Sequence, residues 1–144
     1  MRWILAFLIA LLPVFALSAE DRDYAVGQVW EYENAPQDEG ALLKIQAIET
    51  IKVRGVETQV FHISMIGVNY SGATDDDTIQ HLPVSRETLD MSVTRPGKTT
   101  RSFPDHRTGL AVWRKAVGGV FRISLAQITD AIRQRYSELN SLQQ

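Results

Sequence analysis

The chain contains no cysteine. That excludes disulfides, thiol nucleophiles, thiolate metal centres and cysteine redox chemistry. It also excludes a lipid anchor of the lipoprotein kind, which needs a cysteine after the leader. An excess of either charge is missing: 15 Lys+Arg stand against 17 Asp+Glu, for a formal net charge of −2. The longest basic run, Arg114-Lys115, is two residues. Nucleic acid requires cations clustered on one face, so no nucleic-acid partner is expected. Histidine is scarce, and His62, His81 and His106 nowhere take the two-His helical spacing of a zinc protease. Ser71-Gly72 lacks a nucleophile-elbow context, and no Gly-rich loop resembles a phosphate cradle. The usual catalytic signatures are all missing.

What the chain does carry, first of all, is an address. Arg2 supplies a positive start, Trp3 to Leu17 is almost wholly apolar, and Leu17-Ser18-Ala19 ends the run before Glu20-Asp21-Arg22-Asp23. This is the layout of a signal peptide over 1–19, leaving a single domain over 20–144. A retained anchor is the alternative, but the run falls short of the ~20 residues that span a bilayer and Pro13 interrupts it. Exported domains without disulfides are ordinary in the bacterial periplasm, so a periplasmic or secreted location is expected, with no membrane association once the leader is removed. In that setting the Asn69-Tyr70-Ser71 sequon is coincidental.

The first half of the remaining chain reads as strands. Gln28 to Glu33 alternates, with Trp30 and Tyr32 on one face. Ala41 to Ile51 places Leu43, Ile45 and Ala47 inward, while Ile48 and Ile51 break the alternation and predict a bulge. Val53-Arg54-Gly55-Val56 turns the chain into Glu57 to Val68, which is apolar on both faces and therefore central. Thr78 to Leu82 is a fourth, shorter strand, and Val120 to Ile123 is a candidate fifth. The opening Tyr24-Ala25-Val26-Gly27-Gln28-Val29-Trp30-Glu31-Tyr32, with His81-Leu82-Pro83-Val84-Ser85 later, resembles small bacterial proteins of similar length. The resemblance supplies no activity and no site residue.

The second half reads as helices. Ser85 is a good N-cap, with Val84 and Leu89 placed as a hydrophobic staple, and Thr94-Arg95-Pro96-Gly97 stops that helix. Leu110, Trp113 and Val117 stand at helical spacing ahead of the terminator Gly118-Gly119. Ser124 with Gln127 forms a capping box, and Leu125, Ile128, Ile132, Tyr136 and Leu139 make one apolar stripe. The fold class is therefore α+β: an antiparallel meander of four to five strands, with a C-terminal amphipathic helix and shorter helices packed on it.

No catalytic residue, metal ligand or cofactor is assigned. Asp75-Asp76-Asp77 lacks the alternation, central glycine and position-twelve glutamate of a calcium loop. His62 and His81 meet if the third and fourth strands are neighbours, and a carboxylate such as Asp76 would then allow a small hydrolase or lyase. The plainer reading has His62 bonded to Ser64 or backbone and His81 fixing the turn before Pro83. Most aromatics belong to the core, but Tyr70, in a polar loop, and Phe103, between Ser102 and Pro104, are the candidate binding residues. The expectation is a non-enzymatic domain that binds a protein partner. A small-ligand carrier, using a gap between sheet and last helix, is a further alternative.

Overall fold

The computed structural model describes residues 22–73 and 77–144; the leader over 1–19, Asp75 and Asp76 lie outside the described residues. Five strands, β1 (Val29–Tyr32), β2 (Leu42–Val53), β3 (Val56–Ile66), β4 (Ile79–Ser85) and β5 (Val93–Pro96), form one antiparallel sheet in the order β4-β3-β2-β1-β5. The first four make the expected meander. The fifth is not Val120 to Ile123, where only Phe121 bridges Val84, but the segment expected merely to stop a helix. The helix α1 (Arg86–Ser92) carries the chain across one face from β4, at one edge, to β5 beside β1. Two more helices follow, α2 (Arg107–Lys115) and α3 (Leu125–Ser141). The architecture is α+β.

Local chemistry explains most of these boundaries. β2 and β3 pair over their whole length through the two-residue turn Arg54-Gly55, with φ of 49° and 81°. Positive φ at both positions is the hairpin turn whose twist matches the flanking strands. Ser85 accepts the Thr88 N–H at 3.2 Å and starts α1. Ser124 and Gln127 form the reciprocal capping box of α3.

Two layers cover the sheet. On the first face Tyr32, Leu43, Ile45, Phe61, Ile63, Met65, Leu82 and Val84 meet Leu89 of α1 and Leu125 and Ile128 of α3 in one core. The opposite face of β3 carries Val60, His62, Ser64 and Ile66, all buried. The strand is thus covered on both sides, as its two apolar faces require.

Two register shifts decide which residues reach that second face. Ile45 pairs with Ile63 but Ala47 pairs with His62, so β2 carries one extra residue there. Ala47, expected inward with Leu43 and Ile45, is turned to the His62 side; Ile48 joins the core and Glu49 follows Ala47. Between Ile63 and Met65, β4 gains a residue in the same way. Each insertion is a β-bulge, which re-aims the side chains beyond it.

The helix α2 ends differently from expectation. Gly118 N–H donates to Trp113 O at 2.9 Å and Val117 N–H to Arg114 O at 3.2 Å, the double closure of a Schellman motif. The residue in the left-handed conformation is Val117, at φ 49°, not a glycine. Gly118 is held instead by close approach, because a Cβ there would stand 2.2 Å from Trp113 Cδ1. Val117→Gly is expected to raise stability by about 1 kcal/mol, by relieving a left-handed β-branched residue. Gly118→Ala is expected to lower it by about 2 kcal/mol through overpacking. Urea midpoints for the two variants check both signs.

Candidate functional site

The bulge in β2 has a chemical consequence. It brings Glu49 to the same face as His62, and His81, two residues from the Pro83 that pairs with His62, shares that face from β4. His62 Nε2 lies 2.9 Å from Glu49 Oε1, and His62 Nδ1 lies 2.8 Å from His81 Nε2. Arg114 of α2 donates to the other Glu49 oxygen at 3.0 Å. The result is a four-membered chain, Arg114–Glu49–His62–His81, with Trp113 edge-on to the His62 ring at 4.7 Å. Sequence reasoning paired the two histidines; the carboxylate is Glu49. His62 contacts neither Ser64 nor backbone as its partner. Ser64 bonds to Gln80 O at 2.6 Å and receives Gln46 at 3.2 Å.

Proton positions follow from this connectivity. An ionised carboxylate only accepts, so His62 Nε2 carries hydrogen and, in the neutral ring, Nδ1 accepts. His81 Nε2 must then donate, which leaves its Nδ1 as the free lone pair. That nitrogen faces Gly109 of α2: a Cβ on Gly109 would stand 3.4 Å from Nδ1 and 2.6 Å from the His81 Cβ. Glycine at this position lets α2 lie directly on the imidazole.

Burial pushes the Glu49 carboxyl upward, yet the hydrogen bonds from Arg114 and His62 outweigh it and hold the group below its ordinary range. Burial likewise pushes His62 down, and its contact with Glu49 only partly opposes that. His81 is lowered to about 4, by burial first and then by the neighbouring charges of His62 and His106. Both rings are therefore neutral at pH 7. The chain has the connectivity of a proton relay: His62 is fully buried and His81 partly exposed, while Glu49 and Arg114 line a cleft of 280 Å³ beside Trp113. Through Arg114 the chain also ties α2 to the sheet. Among the described residues, no group of three or more His, Cys, Asp or Glu could hold a metal ion.

The two aromatics singled out from sequence lie on opposite faces. Phe103 is half-buried beneath the Lys44 ammonium, 6.0 Å from its ring, on the α2 side. Tyr70 is half-buried against the main core and sits edge-on to Tyr136 of α3 at 5.6 Å. Tyr70 borders two clefts. One, of 580 Å³, runs along the polar side of α3 past Asn69, Arg133 and Asn140. The other, of 370 Å³, is lined by Tyr70, Phe121, Ile128, Ala131, Ile132, Tyr136 and Leu139, with Arg135 its one charged residue. The core between sheet and α3 is filled by Phe61, Leu125 and Ile128. The open apolar space is on the outer flank of the helix.

One ion pair with a fully buried carboxylate escaped sequence reasoning. Asp38, in a single 3-10 turn (Pro36–Asp38), is fully buried. It receives the Asn69 N–H at 2.8 Å and both Arg133 terminal nitrogens at 3.1 and 2.9 Å. Arg133 also donates to Asn69 O. This cluster ties the loop that carries Tyr70 to α3. Asp77 is held by Arg101 in a two-point ion pair at 2.9 Å.

No protein-family model, no curated protein and no solved structure matches the chain.

The lowered histidine values set a pH response. The unfolded chain takes up protons on these rings from about pH 6.5 downward while the folded chain resists. Their stabilising contribution is thus complete above pH 6.5 and lost as pH falls towards about 4. For His81 the loss amounts to no more than about 3 kcal/mol. His81→Gln, which does not titrate, is expected to flatten this part of the urea-stability profile. Glu49→Ala is expected to cost about 1–3 kcal/mol at pH 7, by leaving the buried His62 N–H without an acceptor.

Proposed function

We propose that the chain is an exported, non-enzymatic domain that binds a protein partner, and that the partner docks along α3. One observation carries this reading. The apolar stripe of α3 is longer than the core it serves: Leu125 and Ile128 are fully buried, whereas Ile132 and Tyr136 are half-covered and Leu139 is 47 % exposed. The uncovered part does not stand alone. It continues into Tyr70 on one side and into Phe121, 41 % exposed, on the other. Isolated surface leucines need no explanation, but a contiguous apolar groove framed by aromatics has the composition of an interaction site.

The groove's shape favours an amphipathic helix as its occupant. Ile128 to Leu139 spans about 16 Å of helix axis, enough for three turns of a partner laid alongside. Tyr70 and Tyr136 supply rigid aromatic anchors, and Arg135 at the rim suits an acidic residue on the partner's polar side. The Asp38–Arg133–Asn69 cluster holds the Tyr70 loop in place beforehand, which lowers the ordering cost of binding. The leader over 1–19 supports an exported location.

A photo-crosslinking residue placed at Leu139 tests the reading in cells that export the protein, with the same probe at Lys98 as control. A partner captured at 139 and not at 98, and lost when Ile132→Asp is added, is the expected outcome. Equal labelling at both positions, or labelling indifferent to Ile132→Asp, would remove it. Capture of a second copy of the chain alone would show self-association in place of a distinct partner.

A further inference from the structure

We propose, against the expectation that no membrane is met once the leader is removed, that the tip of the β2–β3 hairpin, together with the turn that ends α2, is a docking surface for an anionic lipid bilayer. It is independent of the α3 groove. The segment joining the two regions alternates, with Phe121 lining the groove and its neighbours Val120 and Arg122 lining a separate cleft of 290 Å³.

Backbone strain first marks this tip. Among the described residues only Arg54 and Val117 have positive φ without being glycine, both at 49°, and both line this same cleft. Each stands where a strain-free residue is the usual choice: Asn, Asp or Gly at the first turn position, Gly at the helix C′ position. A β-branched residue in this region is a true outlier, and such strain concentrates at working surfaces. Packing does not account for Val117, which is 90 % exposed; Val56, beside the hairpin turn, is 65 % exposed. A strained valine that contributes almost nothing to the core is explained by a contact outside the chain.

Charge decides what that contact is. Lys52, Arg54 and Arg122 line the cleft with no carboxylate among them, and Lys115 precedes the α2 turn. Glu57, opposite Lys52 in the hairpin, and Glu87, 3.7 Å from Arg122, offset part of this charge. Arg54 has no acidic partner within ion-pair distance among the described residues. Cations therefore surround valines held out on two separate turns. Splayed apolar tips of this kind offer a partner helix no continuous groove. They suit the boundary of a bilayer, where the valines enter the acyl edge and the cations stay level with lipid phosphates.

Co-sedimentation with vesicles tests the proposal. Protein purified from an exporting host is mixed with vesicles of phosphatidylcholine alone, or of phosphatidylcholine with phosphatidylglycerol. Any contribution of residues 1–19 is common to all variants and cancels in their comparison. Binding is expected on the anionic vesicles, about tenfold weaker on the neutral ones, and reduced by salt. Arg54→Glu is expected to weaken it at least about tenfold. The decisive variant is Val117→Gly, which relieves strain and keeps the fold, yet is expected to bind about fivefold more weakly. Equal binding to both vesicles overturns the proposal. So does wild-type binding by Val117→Gly and Arg54→Glu. Retention by soluble polyglutamate without binding to vesicles would overturn it in favour of an acidic protein.

Discussion

Burial of both faces of β3 is the constraint on which the rest of this structure depends. From Val60 to Ile66 every residue is at most 2 % exposed, yet the alternation that supplies Phe61, Ile63 and Met65 to the main core also turns His62 and Ser64 into the second layer. A polar side chain placed there must be satisfied or it costs several kcal/mol. The neighbouring strands supply what is needed. Gln46 and the Gln80 carbonyl take Ser64, and Glu49 and His81 take His62. Without the β2 bulge the alternation begun at Leu43 and Ile45 would carry Glu49 into the apolar core and Ile48 out of it. One extra residue resolves both misplacements together.

Two carboxylates then do similar jobs on opposite faces. Glu49 links β2 to Arg114 of α2, while Asp38 links the turn before β2 and the loop after β3 to Arg133 of α3. Desolvation offsets much of the attraction at the fully buried Asp38, and solvent screens the more exposed Glu49–Arg114 pair, so neither adds much net stability. They differ from apolar contacts in direction: Asp38 meets Arg133 with both oxygens, and Glu49 divides its two between His62 and Arg114. Leu110 is the only buried apolar residue in α2, and for so thinly packed a helix the polar tie fixes which way it lies.

How much of this could be read from sequence depended on how local each signal was. Ser85, Ser124 and Gln127 act within one helical turn, and their roles were plain from spacing alone. The meander, its two-residue turn and the centrality of β3 followed from alternation and short connections. The bulge was signalled by Ile48 out of phase, but its site and its effect on Glu49 needed the β2–β3 register. β5 was hidden because Thr94 to Pro96 has the composition of a breaker; only its pairing with β1 makes it a strand. Asp38 lay in a stretch of pure loop chemistry, and nothing local distinguishes an aspartate that will be fully buried. Tyr70 was recognised as a binding candidate, but its partner Tyr136, 66 residues on, was assigned to the core stripe.

These residues also divide the molecule by what its chemistry can reach. In the most reactive constellation, Glu49–His62–His81, each assigned imidazole proton has an acceptor inside the fold and the free His81 lone pair faces Gly109, while Glu49 borders an open cleft. The surfaces with unspent capacity are those where local rules are broken outward. An apolar stripe overruns its core at Ile132 to Leu139, and a valine occupies a glycine's conformation at Val117. Both departures are stabilised elsewhere, the first by the capping box and Arg133, the second by the Schellman closure and Trp113. Departures of this kind cluster at working surfaces, where local rules give way to contacts outside the fold. Besides the Glu49 cleft, the flank of α3 and the hairpin tip are therefore the places where the chain departs from its own local rules.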